Sequence, residues 1–306
     1  MIIRIIANAI SYVDLLFARG SYQVKPPLPL VPGTEFSGVI AALGEGITEP
    51  AIGQRVTGMT VGGAWAEFTC VPAALVEMLP ERVDMHAAAA LPVTYATALY
   101  ALKRRGALRA GETVLVLGAA GGVGIACVQV AKAMGATVVA GVAGAEKMRL
   151  AMEEGADHAV DTAVPEWRSA VQAFATAGVD VVVDPIGDAL TETAFRTLRW
   201  GGRHLVIGFA GGEIPSLRSN LPLLKGASLV GVDIRQFRER EPALARVNLA
   251  ETVARFADGR LRPRIAKVYS ARDWEAAIRQ AEDRATVGRV VLDWTSVAGE
   301  RDEDAV

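Results

Sequence analysis

The apolar positions of this chain follow two different patterns. From residue 113 onward, short uninterrupted aliphatic runs alternate with stretches whose apolar residues recur every three or four positions. VLVL (114–117) shows no polar alternation and predicts a strand buried on both faces. A glycine-dense turn follows, and from Gly122 the positions Val123, Ala126, Val130 and Met134 predict a helix that ends before Gly135. The alternation then repeats. Strands are predicted at 137–142, 158–161, 179–184, 203–209 and 227–232, and helices over 146–154, 165–175 and from about 188 to 198, the last stopping at Gly201-Gly202. Six strands with intervening helices predict an α/β fold with a doubly wound parallel sheet.

The first ninety residues read differently. The runs 38–43, 54–59, 64–72 and 74–79 are short and separated by glycine-bearing turns, which predicts a small β-rich domain. Between the regions, HAAAALPVTYATALYALKRRG (86–106) predicts a helix broken before Pro92 and resumed from Thr94. A helix over 247–261 and a strand over 289–294 close the pattern, and the acidic tail GERDEDAV is expected to fray.

Composition narrows the function classes. The 306 residues are 51% hydrophobic and 22% charged, with a formal net charge of −2, so a nucleic-acid footprint is not expected. The basic clusters KRRG (103–106) and RQFRER (235–240) read as solvated faces and helix ends. Residues 113–131 are long enough to span a bilayer, yet their glycines fall at a strand-to-helix turn, so no membrane segment is expected. The N-terminus lacks the organisation of a signal peptide, which makes cytoplasm the default location. Cys70 and Cys127, the two cysteines, sit in or beside apolar runs and read as small buried hydrophobes in a reducing compartment.

The turn after 114–117 carries the first candidate chemistry. Helix-initial N–H groups lack internal partners and carry partial positive charge, which suits a diphosphate. Ala119-x-Gly121-x-x-Gly124 is a dinucleotide fingerprint with alanine in place of the first glycine. The backbone of Ala119, Ala120, Gly121, Gly122, Val123 and Gly124 is therefore the expected cradle; a close-packed turn with no ligand is the competing reading. NAD-preferring proteins of this kind place a carboxylate at the end of the second strand, but VVAGVAGAEK (138–147) offers none until Glu146. That favours NADPH.

Several ordered motifs, GAAGGVG…QVAKAMGA (118–136), EKMRLAMEEGAD (146–157), GGRHLVIGFAGGEIP (201–215) and LPLLKGASLVGV (221–232), together resemble the zinc-independent quinone oxidoreductase (zeta-crystallin-like) branch of the medium-chain dehydrogenase/reductase superfamily. The resemblance extends from VDLLFARGSY (13–22) and PLPLVPGTEFSGVI (27–40) to VGRVVLDW (287–294). It implies a GroES-like catalytic domain built from both chain ends, 1–93 and 262–306, a Rossmann NADPH-binding domain over 94–261, and an active site in the cleft between them. Family members carry two further strands before the one matching MIIRIIANAI, so either a shortened small domain or a start codon assigned late is expected, in both cases with an exposed edge of that domain.

The same resemblance assigns roles. Lys147 matches the lysine that binds the 2′-phosphate in NADPH-dependent members, although a solvated helix lysine is the alternative, and Thr162 stands where many carry a tyrosine. Thr97, Gly208 and Phe209 fall near the nicotinamide, with Phe209 equally readable as a core aromatic, and Ser11 is counted with the cofactor pocket. Asp184 in DPIG reads first as an Asp-Pro turn. Tyr22 matches a tyrosine of enoyl-thioester reductases and would polarise an acceptor carbonyl or supply a proton; an exposed loop aromatic is the competing reading. Leu16 replaces a second tyrosine found in some quinone reductases.

Zinc relatives bind their metal where this chain has Asp14 and Thr34, and His86, His158 and His204 fall on separate predicted elements. No tetrahedral ligand set can be assembled from these residues. The expected activity is NADPH-dependent, zinc-independent hydride transfer to a quinone or an α,β-unsaturated carbonyl. The alternatives are an enoyl-thioester reductase and an NADPH-binding sensor or structural protein. A homodimer paired through the sheet edge near ASLVGV (227–232) is expected.

Overall fold

The computed structural model describes residues 1–298; the tail GERDEDAV (299–306), expected to fray, lies outside the described residues. Two compact units are present, one formed by residues 1–96 together with those from 241 on, the other by residues 97–240.

The chain opens with β1 (Ile2–Ala9), whose alternate residues Ile3, Ile5, Ala7 and Ala9 are buried. A short helix, α1 (Tyr12–Ala18), follows and had no predicted counterpart. It starts because Ser11 and Asp14 form a capping box, each satisfying the other's backbone N–H. Next come β2 (Glu35–Ala42), β3 (Arg55–Met59), β4 (Phe68–Cys70) and β5 (Val76–Met78), close to the four predicted runs. Helix α2 (Met85–Ala89) stops ahead of Pro92, and α3 (Thr94–Leu99) resumes after it, continuing into a π-helical turn over Tyr100–Arg105.

The middle of the chain alternates: β6 (Thr113–Leu117), α4 (Gly122–Ala133), β7 (Thr137–Val142), α5 (Ala145–Glu153), β8 (His158–Asp161), α6 (Trp167–Phe174), β9 (Val179–Asp184), α7 (Leu190–Thr197), β10 (Leu198–Val206), α8 (Asn220–Lys225), β11 (Ser228–Gly231) and α9 (Ile234–Arg240), of which α8 and α9 had no predicted counterpart. The boundaries differ most at β10, which spans Leu198–Val206 where 203–209 was predicted. Helix α7 ends at Thr197 rather than at the glycine pair, and β10 begins at Leu198 with a register shift before Arg203 that absorbs Gly201 and Gly202. Then come α10 (Pro242–Ala257), β12 (Ile265–Ser270), α11 (Trp274–Glu282), β13 (Arg289–Asp293) and α12 (Thr295–Ala298).

In the first unit the strands run β12-β13-β1-β2-β3-β5, and β4 also pairs with β1. β1 is thus an interior strand, antiparallel to β2, β4 and β13. Ile3, Ile5, Phe36, Ile40, Val56 and Val76 form one core beneath it. Cys70 corrects another expectation: β4 turns Thr69 inward and Cys70 out, so this thiol is exposed while Cys127 is buried.

In the second unit six parallel strands run β11-β10-β9-β6-β7-β8. Val114–Leu117 and Val181–Val183 are fully buried, which explains their unbroken apolar runs. Leu115, Leu117 and Val182 pack against Trp167, Val171 and Phe195 of α6 and α7. The strand order reverses between β6 and β9, and the loops leaving their carboxyl ends lie at the point where such sheets bind ligands.

Candidate functional site

Strand β6 ends at Leu117, and the chain turns through Gly118, whose φ of +59° suits glycine. The Gly121 N–H donates back to the Gly118 carbonyl at 2.9 Å, closing the turn, and the first helical bond of α4 runs from Ile125 N–H to Gly121 O at 2.8 Å. Gly121 caps the helix with no side-chain hydrogen bond. Ala119 and Ala120 are buried, so they offer backbone alone, whereas Gly121 is exposed and Gly122 and Val123 are half-buried. A Cβ on Gly121 would meet no atom closer than the Gly118 carbonyl oxygen at 3.4 Å, leaving the space above the turn open to an anion. The residues present therefore fit a diphosphate.

Loops from the neighbouring strands join this turn. Ile186, after β9, would touch any Cβ placed on Gly118, and Phe209, after β10, lies against Gly187. The two loops are laced by Ala210 N–H to Pro185 O at 3.1 Å and Gly211 N–H to Ile186 O at 2.8 Å. Asp184 organises them. Its Oδ1 accepts from Ile186 N–H at 3.0 Å and Gly187 N–H at 2.8 Å, and its Oδ2 from the Thr191 hydroxyl at 2.7 Å, with His204 Nε2 at 3.0 Å. Burial opposes ionisation, yet His204, Gly187 and Thr191 hold this carboxyl below its usual range. After β7, Gly144 begins α5 with φ +88°, its N–H donates to Asp161 Oδ1 at 3.1 Å, and Lys147 stands half-buried one turn further on.

A second polar cluster belongs to the first unit. Ser11 Oγ lies 2.8 Å from Asp14 Oδ2 and 2.9 Å from Thr34 Oγ1, and all three residues are buried. Beside them Glu35 is ion-paired with Arg289 and accepts from Val93 N–H at 2.8 Å. Burial pushes the Glu35 carboxyl up to about 7 despite the Arg289 charge. Tyr22 follows α1, half-buried, its ring 4.7 Å from that of Phe17.

Comparisons with known proteins agree with this architecture. Residues 1–81 match an alcohol dehydrogenase GroES-like domain and residues 122–248 a zinc-binding dehydrogenase domain. Quinone oxidoreductase-like protein 2 of Bos taurus is 35% identical over 285 residues, covering 92% of this chain and 82% of the relative. The quinone oxidoreductase of Thermus thermophilus, also solved in complex with NADPH, is 33% identical with a TM-score of 0.83, covering 96% of this chain and 91% of that one. A mycobacterial protein solved in complex with NADPH is 29% identical with a TM-score of 0.88, at 96% and 91% coverage. This chain belongs to the quinone oxidoreductase branch of the medium-chain dehydrogenase/reductase superfamily.

As a medium-chain oxidoreductase it departs from the zinc members at the donor set. Asp14 already engages Ser11, Thr34 offers only a hydroxyl, and among the described residues no group of three or more His, Cys, Asp or Glu side chains could hold a metal ion. The three histidines are engaged elsewhere: His86 with Asp293, His158 stacked on Phe174, and His204 with Asp184. The residues do not fit a zinc centre. No helix among the described residues is long and apolar enough to cross a membrane.

The structure brings residues 118–124, 144–147 and 208–209 to the carboxyl ends of one sheet and groups Ser11 with Asp14 and Thr34 on the first unit, while Thr97 lies buried on α3. Three features escaped the sequence reading. Asp184 is the hub of two loops rather than a plain turn. Asp161 presents a carboxylate to Gly144, and the Asp-Thr pair closing β8 was its only signal. The Glu35–Arg289 pair joins residues 254 apart, a separation that no local pattern reports.

Proposed function

We propose that this oxidoreductase uses NADPH, without zinc, to reduce a quinone or an α,β-unsaturated carbonyl compound. The observation that carries the reading is the uncapped helix start at Gly121, open above the turn and set where the strand order reverses. The helix-initial amides of Gly122 and Val123 would hold the diphosphate, and Ala119, Ala120, Gly121 and Gly124 shape the turn beneath it. Lys147, next to the α5 N-terminus, would bind the 2′-phosphate by charge. The NADPH complexes of structural relatives support this preference.

When bound, the nicotinamide supplies hydride. Thr97, Gly208 and Phe209 would position that ring, and Ser11 would border the pocket. Tyr22 would donate a hydrogen bond to the acceptor oxygen as negative charge develops there. Conjugated acceptors suit such a site because a hydrogen-bond donor, rather than a Lewis acid, polarises their carbonyl. Stopped-flow oxidation of NADPH across simple quinones, enones and crotonyl-type thioesters tests the reading. Turnover of quinones or enones is expected; thioester preference would move the assignment to enoyl reduction, and tight NADPH binding with no acceptor would make the protein a sensor. A cytoplasmic homodimer, joined along the β11 edge, completes the proposal.

A further inference from the structure

Sheets of this kind discriminate between coenzymes where their second strand ends, because the adenosine ribose binds there. In the second unit that strand is β7, and neither Val142 at its end nor Ala143 and Gly144 after it carries a charge. The fold brings a charge to them from the next strand. β8 runs parallel to β7 in a register that sets Asp161, its last residue, opposite Val142. Thr162 N–H closes the pair by donating to Val142 O at 2.8 Å. The Asp161 carboxyl thereby reaches the start of α5, where Oδ1 accepts from Gly144 N–H at 3.1 Å and from Ala163 N–H at 2.9 Å. Oδ2 has no partner among the described residues.

The Ala163 and Gly144 N–H groups favour the charged form of this carboxyl and hold it below its usual range, so it is ionised at neutral pH. It also occupies the Gly144 N–H, at the cap of α5, and sets its negative charge against the partial positive charge of that helix start. A 2′-phosphate on the first turn of α5 would gain the ammonium group of Lys147, the third residue of the helix, and meet the Asp161 carboxylate at the same end. A ribose with a free 2′-hydroxyl brings no charge, and Oδ2 remains as an acceptor for it. Lys147 and Asp161 thus act in opposite senses on the phosphorylated coenzyme.

We propose that Asp161 sets coenzyme choice, its carboxylate offsetting the Lys147 charge at the α5 N-terminus so that the site takes NADH as well as NADPH. The inference rests on the nicotinamide-coenzyme reading above, and every residue it uses belongs to the second unit.

Calorimetric titration of the apoprotein with NADPH and with NADH, with no acceptor present, tests it. The wild type is expected to bind the two coenzymes within roughly 10-fold of each other. In Asp161→Asn the amide oxygen keeps both backbone bonds and only the charge is lost, so NADPH is expected to bind roughly 5-fold more tightly while NADH does not gain. Asp161→Ser, with a smaller neutral acceptor, should move the ratio in the same direction. The gain should shrink in about 1 M salt, where charges are screened, a dependence that a purely structural anchor would not show. A wild type that prefers NADPH by more than roughly 100-fold, a ratio unchanged in both variants, or equal losses for both coenzymes overturns the proposal. A wild type that binds neither coenzyme overturns the coenzyme reading itself, and the proposal with it.

Discussion

Gly124 lies so close beneath Gly118 that a Cβ on it would stand 2.0 Å from the Gly118 carbonyl oxygen. Gly124 therefore serves strand-to-helix packing, whereas Gly121 serves access. Gly124→Ala is expected to cost about 1–3 kcal/mol of stability through overpacking, seen as a lower melting temperature. Gly121→Val is expected to melt near the wild type yet show no NADPH binding in a fluorescence titration.

Lys147 stands on the first turn of α5, where a 2′-phosphate would meet its ammonium group. A hydrogen bond to a charged group contributes about 1.5–3 kcal/mol, so Lys147→Ala is expected to weaken NADPH binding by roughly 10–100-fold. Calorimetric titration with NADH should show almost no change, and equal losses for both coenzymes would remove Lys147 from the 2′-phosphate site.

Tyr22 packs against Phe17 through its ring, so removing only the hydroxyl preserves that contact. Tyr22→Phe is expected to lower kcat by roughly 10²-fold with NADPH affinity unchanged, as for loss of one donor to a developing oxyanion. Single-turnover kinetics would reveal it.

Glu35 links stability to pH. Its carboxyl titrates near 7 in the folded protein, against an ordinary value of 4.5, because burial outweighs the Arg289 charge and the Val93 N–H. Between those values the folded state holds more protons than the unfolded chain, so this contribution to stability is complete below about 4.5 and is lost as pH rises through about 7. Denaturant titrations across that window should show the decline, and Glu35→Gln should flatten it.

Among the described residues strand β11 has neighbours on one side only, and the apolar Leu229, Leu223 and Trp200 are exposed on or near it. Such an edge favours pairing with a second copy. The proposed homodimer predicts that the wild type sediments as a dimer and Leu229→Lys as a monomer, with the melting curve of the remaining fold preserved.

The strands of the second unit were legible within a residue or so at β7, β8 and β9, because a strand buried on both faces must be aliphatic throughout. Helix α1 was not, since seven residues are too few to display a helical period, although Ser11 and Asp14 carried its capping signal. The start of α10 at Pro242 was passed over even though proline is at home in a helix's first turn. For the candidate site, the glycine turn was readable from spacing alone. The Ser11–Asp14–Thr34 chain and the Glu35–Arg289 pair exist only after strands distant in sequence come together.

Strand β1 is seated beside β13, with Ala7 opposite Asp293, so this early strand obtains one of its neighbours only from a segment synthesised long after it. The six-stranded unit between them needs nothing from either end to finish its own sheet. On a ribosome the interior of the polypeptide would mature first, leaving the early strands waiting with an unmet flank. That interval, more than any property of the finished molecule, is when this protein would most need a chaperone.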